Sequence, residues 1–186
     1  MSFFELPTWQ PPSGYRIPPW LRPPEHMVPG VVPVELLLAR NDTHAVLVTH
    51  VHAFPTGVDF ILTVRPRPGQ PRQRRHDLDR PHRLAYHDLG LELRFADGRI
   101  ASNDPRRWPR SFEDEQPDPP LLYYHGRGGC EGGWRSHHWL WGLPPPGPLA
   151  FVCGSSAGQL PPSGVQIDAG LVLEAAARAA AVWPTG

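Results

Sequence analysis

The chain has 186 residues with 18 basic groups against 18 acidic ones, so no global field draws it to nucleic acid or to an anionic membrane. Its length matches one domain on the usual scale of about 100–200 residues, and its 26 prolines and 18 glycines bring it near the content of about 25–30% at which low-complexity disorder begins. Lysine is absent and arginine supplies the basic side chains, which removes Schiff-base and lysine general-base chemistry.

The opening MSFFELPTWQPPSGYR has neither the basic n-region nor the apolar core of a signal peptide. No run reaches the roughly 18 apolar residues of a membrane span. A cytoplasmic location is therefore expected, with no membrane partner and with Cys130 and Cys153 reduced. Residues 1–30 are dense in proline among Trp9, Tyr15, Trp20 and Leu21. Proline lacks an amide donor and forbids helix, so this segment is expected to be extended and packed on the domain formed by residues 31–186.

From Val31 the pattern changes. Val32–Ala39 and Ala45–Phe54 are β-branched runs separated by the turn signal Asn41-Asp42, and they predict a hairpin. Pro55-Thr56-Gly57 leads into Val58–Arg65, where Val58, Phe60, Leu62 and Val64 share one face and Asp59, Ile61, Thr63 and Arg65 the other. Three consecutive antiparallel strands result. Pro66–Asp88 is an arginine- and histidine-rich insertion with too few apolar residues for a core element, in which Pro81 is fit to open a short helix. Leu89–Phe95 alternates again, and Asp97-Gly98 predicts a two-residue hairpin turn back to Arg99–Asn103.

Leu121–His125 is a short strand, followed by the glycine-rich Gly126–Gly133 as a loop. Trp134–Cys153 reads as two strands around the stiff corner Pro144-Pro145-Pro146-Gly147, the central hairpin of the core, with Trp139, Trp141 and Leu143 on one face and Phe151 opposite. Val165–Ile167 is a further strand, and 168–182 is a helix capped by Asp168, with an apolar stripe at Leu171, Val172, Ala175, Ala176 and Ala179. Short strands with turn signals and no alternating helices predict a mainly β fold: an antiparallel β-sandwich or partly open barrel with one C-terminal helix and a proline-rich N-terminal extension.

Five groups of residues bear on chemistry. His50 and His52 lie two apart on a strand, which places them on one face about 7 Å apart; His44, His125, His137 and His138 are available to complete a metal site of three or four ligands. The metal reading therefore rests on His50, His52, His137 and His138. Cys130 near His125 is the thiol and base pair to consider, while Cys153 fits a core position. Gly126–Gly133 lacks the helix, lysine and hydroxyl of a phosphate loop. The arginine insertion is diluted by Asp77, Asp79 and Asp88, which argues against nucleic acid. Trp134, Trp139 and Trp141, with Pro145 on the corner, form the aromatic set for a core or a protein contact.

The run W-L-W-G-L-P-P-P-G-P-L-A-F-V-C over Trp139–Cys153, the later Ile167-Asp168-Ala169 with its alanine-rich helix, Phe54–Val58 and Phe95–Arg99 together resemble a group of proteins from GC-rich actinobacteria. The resemblance brings no activity with it, and Gly154-Ser155-Ser156 departs from the aromatic-proline segment the group places there. From the residues themselves, the expectation is a non-enzymatic module acting by protein contact or self-association, without a cofactor. The alternative is a histidine-based site for a transition metal, structural or enzymatic. Carbohydrate stacking on tryptophan is a third reading.

Overall fold

Val58, Phe60, Leu62 and Val64 are each at most 1% exposed, and the strand that carries them sits inside a six-stranded antiparallel sheet. A computed structural model describes residues 17–69, 88–108, 116–130, 133–155 and 160–183. Their fold is mainly β, with three antiparallel sheets, one helix and no closed barrel. The elements are β1 (Met27–Val28), β2 (Gly30–Val31), β3 (Leu36–Arg40), β4 (His44–Phe54), β5 (Gly57–Pro66), β6 (Leu89–Arg94), β7 (Ile100–Ser102), β8 (Leu121–Cys130), β9 (Gly133–Trp141), β10 (Pro148–Ser155), β11 (Ser163–Asp168), α1 (Gly170–Ala177) and β12 (Ala180–Ala181).

The large sheet runs β2-β4-β5-β9-β8, with β3 also paired to β4; the second runs β11-β10-β6-β7; β1 and β12 form a separate ribbon. The first two sheets pack face to face. Phe60 of β5 meets Phe151 of β10 edge-on at 5.6 Å between ring centroids, and one buried cluster takes in Leu62, Leu91, Leu93, Leu140, Leu149 and Cys153 from both sheets. A smaller cluster of Phe54, Leu121, Trp139 and Trp141 lies apart from it, with Trp20, Met27 and Trp108 packed against it. The Trp139 indole N–H donates to the Pro19 carbonyl at 3.1 Å, which ties the proline-rich entry segment to the large sheet.

Helix α1 covers the β2 and β4 side of the large sheet. Gly30 makes that fit possible, because a Cβ there would stand 1.8 Å from the Ala175 carbonyl oxygen; the helix backbone rests directly on strand backbone. Val172 and Ala175, on the face the helix turns to the sheet, are fully buried.

Four elements differ from the sequence expectation. The Trp134–Cys153 hairpin does not form: β9 pairs with β5 and β8, whereas β10 pairs with β6 and β11. The proline corner therefore carries the chain from one sheet to the other, and Gly142 and Gly147 take positive φ (91° and 117°) at its two ends. The glycine run is not a loop up to Gly133, since Gly126, Gly128 and Gly129 pair in register with His137, Arg135 and Trp134; the β9 partner overrides the low strand preference of glycine. The return from β6 uses three residues, 96–98. The Phe95 amide donates to the Arg99 carbonyl and the Gly98 amide to the Phe95 carbonyl, and positive φ falls on Gly98 and not on Asp97.

The helix expected over 168–182 spans only Gly170–Ala177. Asp168 ends β11 and still accepts from the Gly170 amide at 2.8 Å, while Ala180 and Ala181 pair with Val28 and Met27, so tertiary pairing wins over alanine's helix preference. The short helix expected after Pro81, together with His76, His82 and His87, lies outside the described residues.

Candidate functional site

Strand alternation assigns the faces of the large sheet. On β5, Phe60 and its even-numbered neighbours point into the sandwich, so Asp59, Ile61, Thr63 and Arg65 line the outer face. On β9 the same rule sends Ser136, His138 and Leu140 inward, all at 0% exposure, and Arg135, His137 and Trp139 outward. His137 and His138 are therefore on opposite faces and do not ligate one ion together.

A bulge in β8 supplies the third member. Tyr124 pairs with His138 and Gly126 with His137, which leaves His125 as the extra residue. An inserted residue re-aims side chains locally. Here it turns His125 onto the outer face, where its ring lies 5.7 Å from that of His137. From there it reaches across β9, and its Nε2 meets Asp59 Oδ1 at 2.9 Å, the two side chains being 24% and 19% exposed. Ligand atoms of Asp59, His125 and His137 all lie within 4.8 Å of one another. A metal held at about 2.0–2.2 Å by such ligands needs only small side-chain rotations to draw them in. Next to His125 the strand carries glycines at 126, 128 and 129, and a Cβ at any of them would meet nothing within 4 Å. Access to the group from the β8 side is therefore open among the described residues.

His50 and His52 behave differently from a regular strand. A second bulge falls between Thr49 and His52 in β4, with His50 at φ 53. Upstream Val46 and Val48 face the core, and downstream Val51 and Ala53 do, because the extra residue flips the alternation. His50 is exposed, and His52 is half-buried opposite Asp59 on the neighbouring strand. Neither belongs to the Asp59–His125–His137 group. His44 lies at the far end of β4, where it bonds Thr43.

His138 is a core residue. It stacks on Phe60 at 5.4 Å with 13° between the planes, and its Nε2 shares a 2.8 Å hydrogen bond with Ser136 Oγ. Nδ1 has no partner. Burial, and then the nearby charges of His125 and His137, push its pKa down to about 3, so the ring is neutral. The Ser136–His138 pair resembles a nucleophile and base in spacing, but both side chains are sealed from solvent.

Of the aromatic set, Trp139 and Trp141 are buried, Trp134 is half-buried against the main core, and Pro145 is half-buried on the sheet-crossing corner. Cys153 is a free, buried thiol whose pKa burial raises to about 11, which makes it inert as a nucleophile.

Of this group, the sequence names His137 as a candidate ligand and His125 as available to complete a site, and it places Asp59 on the outward face of its strand without counting it as a ligand. Its signal was present: a carboxylate on the outward parity of the best-alternating strand. The grouping depends on the β8 bulge, which no residue pattern announces. No family model, curated protein or solved structure matches this chain.

Proposed function

We propose that this protein binds a divalent transition metal on the outer face of its large sheet through Asp59, His125 and His137. The observation that carries the reading is the convergence of one carboxylate and two imidazoles from three adjacent strands, within 4.8 Å. Two histidines and one carboxylate suit Zn²⁺ and its first-row neighbours, and three protein ligands leave a position for water or for a further ligand. Asp59 offers a carboxylate oxygen, and its 2.9 Å contact with His125 Nε2 holds those two side chains next to each other.

Zinc titration of metal-stripped, untagged protein is expected to show one tight equivalent. His125→Ala, His137→Ala and Asp59→Asn are each expected to weaken it by at least about tenfold to a hundredfold, with His50→Ala as the unaffected control. Zinc uptake that is unchanged in all three variants would leave Asp59–His125 as an ordinary ion pair.

A second reading, contact with another copy of the chain, is supported by a different surface. Val28, Val182 and Trp183 are 53%, 43% and 78% exposed and lie on or directly after the β1–β12 ribbon, where the Val182 amide also bonds the His26 carbonyl; Val31, 61% exposed, follows on β2. Each ribbon strand pairs only with the other among the described residues, so outward backbone groups are available for pairing with a second ribbon. Light scattering on the eluting peak is expected to give a dimer mass that falls to that of the monomer in Trp183→Ser; a wild-type monomer at about 100 μM would remove this reading.

A further inference from the structure

The outer face of the large sheet carries a second polar site, at the end of β5 away from Asp59. Ala45 of β4 pairs with Arg40 of β3 on one side and with Arg65 of β5 on the other. Directly opposed residues share a face, so the two guanidinium stems rise on either side of an alanine, about 10 Å apart at the backbone for two strand spacings. Neither makes an ion pair among the described residues. Arg67 continues the chain past β5, its amide bonded to the Thr43 carbonyl, and among the described residues its ion-pair partner is the exposed Asp42, at 3.9 Å.

These groups line a cavity of about 730 Å³, with Leu47 and Pro66 adding apolar wall to Ala45. That volume falls in the range of small-molecule sites, which combine apolar lining with a few convergent polar groups. Three arginines against one aspartate give the cavity a net positive charge. Burial lowers the pKa of His44, and its Nδ1 is already engaged by Thr43 Oγ1, so it adds shape more than charge. Two guanidinium groups with no ion pair among the described residues repel each other over a small floor until an anion lies between them, and the planar fork of arginine matches the oxygens of a phosphate.

We propose that this cavity binds a small organic phosphate, the phosphate held between Arg40 and Arg65 with Arg67 at its rim, and the organic body lying on Leu47 and Pro66. The site stands apart from Asp59, which lies six residues along β5 from Arg65, roughly 20 Å at strand rise.

Calorimetric titration of the full chain with phenyl phosphate, in EDTA so that no metal bridges the ligand, is expected to give saturable one-to-one binding. Inorganic phosphate is expected to bind more weakly, and phenol not at all. Arg40→Gln and Arg65→Gln should each weaken phenyl phosphate by about tenfold to a hundredfold, the loss of a charge-assisted hydrogen bond. Arg94→Gln, on the other sheet, should leave it unchanged. All of these positions are exposed, and the thermal midpoint of each variant reports that it is folded. Absence of saturable binding, or equal binding in the Arg40 and Arg65 variants, would overturn the proposal. So would inorganic phosphate binding as tightly as phenyl phosphate, or binding confined to oligonucleotides.

Discussion

Acidification from pH 7 to pH 4 is expected to cost this fold about 3 kcal/mol through His138 alone. Its folded pKa of about 3 lies below the ordinary imidazole value of 6.5. The unfolded chain therefore takes up a proton that the folded chain refuses. The stabilisation is complete above about pH 6.5, declines as the pH falls through the unfolded value, and levels off only near pH 3. The physical source is the pocket: a ring stacked on Phe60, hydrogen-bonded to Ser136 and with no surface exposed to solvent.

Urea unfolding at pH 7, 5.5 and 4 measures the effect. The comparison is the double variant His138→Phe with Ser136→Ala, which removes the titrating group and its partner together, so that neither is left buried and unpaired. The wild type should lose about 3 kcal/mol more than the variant over this range. Parallel loss in both would place the acid sensitivity elsewhere.

Phe60→Ala is expected to destabilise the protein by about 3–5 kcal/mol, a large share of the roughly 5–15 kcal/mol that holds a domain folded. Phe60 is fully buried and is the ring at which the two sheets meet, edge-on to Phe151 and stacked on His138. Its neighbours come from strands fixed in separate sheets, so the space left behind has little freedom to collapse. Phe60→Leu, which keeps much of the volume, is expected to cost about 1–2 kcal/mol. Chemical denaturation at pH 7 separates them; an alanine variant within 1 kcal/mol of wild type would show that the sheets close over the gap.

The strands were legible where one face is buried and the other is not. Val58–Val64 and Leu89–Phe95 alternate cleanly because β5 and β6 each lay one parity into a single interior. What defeated the pattern was backbone irregularity. At His50 one extra residue inverted the faces, so the His50–His52 pair dissolved; at His125 another created the Asp59–His125–His137 group. Residue spacing is blind to both, because a bulge is a property of two strands in register. The apolar runs around the proline corner were also correctly identified as strands, but their partners were not, since apolar residues on β9 and β10 satisfy either one sheet or two. Asp59 was visible by parity and lacked only its neighbours.

The corner at 142–147 also governs the order in which the molecule can be completed. The large sheet draws on residues from 30 to 66 and again from 121 to 141, and the smaller sheet on 89 to 102 and again on 148 to 168. The two sets interleave along the chain. During synthesis β5 stands as a bare edge until β9 arrives more than sixty residues later, and β6 waits more than fifty for β10. Such distant closures make folding slow and leave pairing edges open to neighbours in the interval. The stiff prolines at 144–146, by fixing the direction in which the chain leaves one layer for the other, shorten the search for the last of these pairings.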